Sequence, residues 1–105
     1  MDYSKIHRGT AFFGMSLDDV ADSRGLNDAL GILRAAVDET VDRDLRQDRE
    51  TVSALAFIRQ LMGKVSAASD FERALTIQHS GDRMAAVEAA FYRLRDVVWT
   101  GIEQQ

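Results

Sequence analysis

The stretch Asp38–Glu50, "DETVDRDLRQDRE", decides the fold, because it joins two runs of apolar helical period and holds neither Gly nor Pro. Read as unbroken helix, it fuses its neighbours into one rod of some forty residues, about 60 Å long. Such a rod is too long for a compact monomer and requires a dimer to bury it. Read as a break, it folds the two runs back on each other. Before it, Leu26, Leu30, Leu33, Val37 and Val41 follow at alternating steps of four and three, a stripe of helical period. Continued at about 100° per residue, that stripe would carry Asp44 and Asp48 in its centre, and an unpaired buried carboxylate is costly. The helix is therefore expected to leave the core, or to end, between Val41 and Asp48. Leu45, at the edge of the stripe, leaves the point of departure open.

The same thirteen residues hold six acids and three arginines, the densest charge in the chain. Glu39 precedes Arg43 by four, Asp42 precedes Arg46 by four, and Arg46 precedes Glu50 by four. Acid before base at that spacing is the favourable order on a helix, at roughly 0.2–0.5 kcal/mol per pair. A metal site wants acids without competing cations, on helices facing across a core. Asp38 and Asp42 share a face, and the E-x-x-D spacing of Glu39 and Asp42 resembles the acid pairs with which all-α nucleoside triphosphate pyrophosphohydrolases hold magnesium. The resemblance stops at the opposing helix. There "ETVSALAFIRQL" offers only Glu50, with Ser53 where an acid is needed, and Glu88 and Asp96 of the last helix point in different directions. A solvated turn is the expected reading. Metal-dependent hydrolysis of phosphorylated small molecules, using Asp38, Glu39, Asp42 and Glu50, is the alternative.

On the C-terminal side, a helix is expected from Arg49 to Ala68. Val52, Ala54, Leu55, Phe57, Ile58, Leu61, Met62 and Val65 cover over half its circumference, as in a central helix packed on more than one side. "SDFE", Ser69 to Glu72, reads as a capping box opening a short helix. "HSGDR" reads as a break, with Gly81 ending one helix, Asp82 capping the next, and His79 as a cation near the helix C-terminus. The last helix, about Arg83 to Glu103, carries the ridge Met84, Val87, Phe91, Leu94, Val98 and Ile102. On the N-terminal side, Ser16 and Asp19 form a capping box for a short helix that stops near Gly25, and Asn27 is a good N-cap for the one that follows. Residues 1–15 read as an irregular arm around Phe12 and Phe13. The expected fold is all-α: a small helical bundle of three longer helices plus two short ones in a single domain, 16–105, preceded by that arm.

Composition agrees. The chain has 105 residues, 46% apolar and 29% charged, with no proline to interrupt helices. It has no cysteine, which removes disulfides, thiol nucleophiles and cysteine metal sites and leans toward a reducing compartment. Neither a signal-peptide h-region nor a membrane-length apolar run is present, so a cytoplasmic protein is expected. Net charge is −4, with eleven arginines and two lysines dispersed, and direct nucleic-acid binding wants a concentrated basic face. "GTAFFGMS", Gly9 to Ser16, approaches a phosphate-binding loop but has Met15 where the lysine must stand. No cofactor and no metal ligand set is expected.

One surface remains. Glu88, Tyr92, Arg95 and Trp99, spaced four, three and four, form a row beside the buried ridge of the last helix. Tyr, Arg and Trp dominate binding hot spots, though such a row also serves to cover the edge of a bundle. The expected function is a non-enzymatic protein-interaction module, an adaptor, regulator or inhibitor. It would be homodimeric and would engage another protein, one with a basic surface given the chain's acidity. The row and the Phe12–Phe13 arm are its candidate contacts. A ligand-binding bundle with an apolar pocket is a third reading.

Overall fold

A computed structural model describes residues 17–103 of the chain, with the side chains of residues 22–101. The expected arm, with Phe12 and Phe13, and the Gly9–Ser16 loop lie outside the described residues. Within them the chain is all helix and turn, without a strand: α1 is Leu17–Glu39, α2 is Arg49–Met62, α3 is Ser66–Ala74 and α4 is Ser80–Glu103. α1 packs on α2 and α4, and α3 lies on α4. The sequence-based count of three longer helices and two short ones therefore becomes two long, one intermediate and one short.

The acidic stretch breaks the rod. α1 ends at Glu39, residues 40–48 are turn, and Asp48 opens α2 as its N-cap, accepting from the Thr51 N–H at 3.1 Å and the Thr51 hydroxyl at 2.9 Å. Leu26, Leu30, Leu33 and Val37 are buried as expected, whereas Val41, beyond the helix end, is 40% exposed. Leu45 is 1% exposed and plugs the turn into the core. The charges around it stay in water. Of the three spaced ion pairs, Glu39–Arg43 forms at 2.8 Å. Arg46 turns instead to Asp44 at 2.7 Å, because its helix has already ended, and Arg43 also reaches Asp48 at 3.2 Å.

Those contacts set an acid response. The Thr51 hydrogen bonds, then Arg43, hold the Asp48 carboxyl below its ordinary value of 3.8, and Arg46 brings Asp44 down to about 2. A carboxylate depressed in the folded state adds stability above its unfolded pKa and loses it as pH falls through the folded one. The melting temperature is therefore expected to be flat near neutrality and to fall from pH 3.8 toward about 2. Asp48→Asn keeps the cap, since Asn and Asp serve equally there, and is expected to shrink that acid drop; an unchanged pH profile would contradict the assignment.

Gly25 does not stop a helix. It lies inside α1, where a Cβ would come within 2.5 Å of the Phe57 ring, so the missing side chain makes room for that ring of α2. The two expected N-terminal helices are one, and Asn27 lies within it rather than capping a second. The expected helix Arg49–Ala68 stops at Met62 instead. Gly63 follows with φ 78° and ψ −158°, a conformation open essentially to glycine alone, and its N–H closes the helix on the Arg59 carbonyl at 2.8 Å. The early stop lets α3 settle on α4, and α2 is not a central helix: Ala54, Leu55 and Ile58 are buried while Val52 and Leu61 are 46% and 37% exposed.

Ser69 and Glu72 fall inside α3 and form no capping box. Glu72 grips Arg59 of α2 through two hydrogen bonds of 2.8 and 3.1 Å, which hold its carboxyl below the usual range. α4 begins at Ser80, so Gly81 and Asp82 occupy its first turn. His79 sits before a helix rather than after one, and its Nδ1 accepts from the Asp82 N–H at 3.3 Å.

Arg83 locks the bundle together. Its Nε donates to the Thr40 carbonyl at 2.9 Å and the Thr40 hydroxyl at 3.0 Å; its Nη1 donates to the carbonyls of Ile77 at 2.9 Å and Gln78 at 3.2 Å. α1 has no basic residue in its own last turn. Arg83 supplies, from another helix, the cation that the carbonyl end of α1 favours.

Candidate protein-interaction surface on the last helix

α4 buries Val87, Phe91, Leu94 and Val98 of the expected ridge, with Met84 half-buried at its start and Ala90 buried beside them; the side chain of Ile102 lies outside the described residues. Roughly a third of a turn away, the helical period carries Glu88, Tyr92, Arg95 and Trp99 along the edge that faces α1. The structure brings all four into one row. Tyr92 is 39% exposed and Trp99 46%. The Arg95 guanidinium lies between them, its carbon 4.7 Å from the Tyr92 ring centroid and 4.8 Å from that of Trp99.

The two rings are held by neighbours. The Tyr92 ring meets Phe91 edge-on with centroids 5.4 Å apart. The Trp99 indole N–H donates to the Asn27 side-chain oxygen of α1 at 3.2 Å, which orients the ring while the residue stays 46% exposed. Asn27 is the member that sequence reasoning missed. An asparagine in a helix interior with a tryptophan 72 positions later leaves no local signal. Among the described residues the buried Arg95 Nε has no hydrogen-bond partner, and the one ion pair of Arg95 is a loose 3.5 Å contact with Asp96. Glu88 is half-buried and makes no ion pair among the described residues.

The acids of the alternative reading form no single cluster, although Glu39 and Glu50 line one groove. Asp38 faces Arg34 at 3.6 Å, Glu39 pairs with Arg43, Asp42 is exposed in the turn, and Glu50 is in the first turn of α2. Among the described residues no three His, Asp or Glu side chains gather where they could share a cation. An open groove of about 440 Å³ between α1 and α2 is lined by Asn27, Gly31, Ile32, Glu39, Asp48 and Glu50 among others. No helix among the described residues is long and apolar enough to cross a membrane. Comparison with protein-family models, with curated proteins and with solved structures returned no match to this chain.

Proposed function

We propose that this chain is a non-enzymatic protein-interaction module of the cytoplasm that recognises its partner through the Glu88–Tyr92–Arg95–Trp99 row. The observation that carries the reading is the stack itself: an arginine fork held between two aromatic rings that remain 39% and 46% exposed. Such a row can also cover the edge of a bundle, but here nearly half of each ring residue is open to a partner. Immobilising the fork beforehand lowers the entropy that binding must overcome, and the three residue types are those that dominate measured hot spots.

The chain's net charge of −4 favours a partner with a basic surface and works against direct contact with nucleic acid. Capture from the native host by immobilised protein tests the proposal. Tyr92→Ala and Arg95→Ala are expected to lose the captured protein while keeping the helical signal of the wild type. Capture undiminished in both variants would refute it.

A further inference from the structure

We infer that one occupant of this row is a second copy of the chain, paired through α4 in antiparallel fashion about a two-fold axis beside Tyr92. The inference rests on the reading of the row as a contact surface and names what it contacts. A two-fold interface is isologous: whatever residue i meets, its equivalent meets i in return. The row is self-complementary under that operation. In an antiparallel pair centred beside Tyr92, Glu88 lies opposite Arg95 of the partner subunit, and Arg95 opposite Glu88 of the partner subunit. The same register sets Trp99 against Met84 of the partner subunit, and it brings the two tyrosines together at the axis. One alignment therefore satisfies both charges and both apolar ends.

Among the described residues these groups are left wanting. Glu88 has no ion pair among the described residues, and the stacked Arg95 fork has only its 3.5 Å contact with Asp96. A carboxylate arriving from outside meets a planar fork already immobilised between two rings, with its outer nitrogens free to donate. Met84, half-buried, offers the thioether that an indole face favours. Taking about 150–250 Å² for a fully buried aromatic side chain, the exposed fractions leave roughly 250–430 Å² of aromatic surface for two copies to cover. With Met84, Ala85 and Glu88 added, the contact belongs to the small, transient class below about 1,200 Å², so the dimer is concentration-dependent.

Charge reversal on the full-length chain tests the register. Glu88→Arg alone sets arginine against arginine, and Arg95→Glu alone sets glutamate against glutamate. Each is expected to weaken self-association by at least about tenfold in sedimentation equilibrium. Mixed in equal amounts, the two variants restore opposite charges at both positions, and a heterodimer is expected to form with near wild-type affinity. That rescue also shows both variants to be folded. A wild type that stays monomeric to about 1 mM, or a dimer indifferent to both reversals, overturns the pairing. The capture experiment decides separately whether the row serves another protein, so loss of the pairing is distinguishable from loss of the module reading.

Discussion

Leu45→Ala is expected to destabilise the fold by about 2–5 kcal/mol, lowering the melting temperature by on the order of 10 °C or more. The side chain is 1% exposed, yet it stands in a turn between Asp44 and Arg46, among the most charged residues of the chain. Its burial is what holds the acidic stretch against the bundle while the carboxylates remain in water. The control is Val41, four residues earlier and 40% exposed. Val41→Ala is expected to cost no more than about 0.5 kcal/mol. Thermal melts of the two variants side by side check the claim. Equal effects would mean that the turn is not anchored by Leu45.

Arg83→Met carries the second large effect, a loss of roughly 1.5–3 kcal/mol from charge-assisted hydrogen bonds. The methionine keeps much of the side-chain volume but leaves the carbonyls of Thr40, Ile77 and Gln78 without their donor. Arg83→Lys is the more discriminating variant. It keeps the charge near the end of α1, but one ammonium cannot repeat a fork that spans Thr40 on one side and Ile77–Gln78 on the other. Lysine is expected to recover less than half of the loss. Full recovery would reduce Arg83 to a charge at a helix terminus. Denaturant unfolding of the three proteins gives the answer.

Both residues bear on what the sequence can disclose. That the rod breaks was legible because a helical stripe cannot carry Asp44 and Asp48 into a core, although α1 ends at Glu39, ahead of the expected Val41–Asp48 window; the ridge of α4 was legible because its spacing keeps one helical period. Glycine was the misleading letter. Gly25 and Gly63 look alike in sequence; one lies in helix against the Phe57 ring, the other ends a helix at φ 78°. What separates them is a neighbour in space, and local pattern does not record it. Arg83 and Asn27 were missed for the same reason, their partners lying 43 and 72 positions away. The row of Glu88, Tyr92, Arg95 and Trp99 was visible as a spacing; the stacking of the guanidinium between the rings was not.

Trp99 is the chain's single tryptophan, so its fluorescence reports on the proposed surface without any substitution. Acrylamide quenching measured across a dilution series, alongside solution mass, tests whether this face is wet in the free chain and dry in the complex. Strong quenching and long-wavelength emission are expected from the monomer. Both should diminish together as mass doubles or as a captured partner is added. Quenching that stays constant while mass or partner occupancy rises would place the contact elsewhere on the molecule and contradict it.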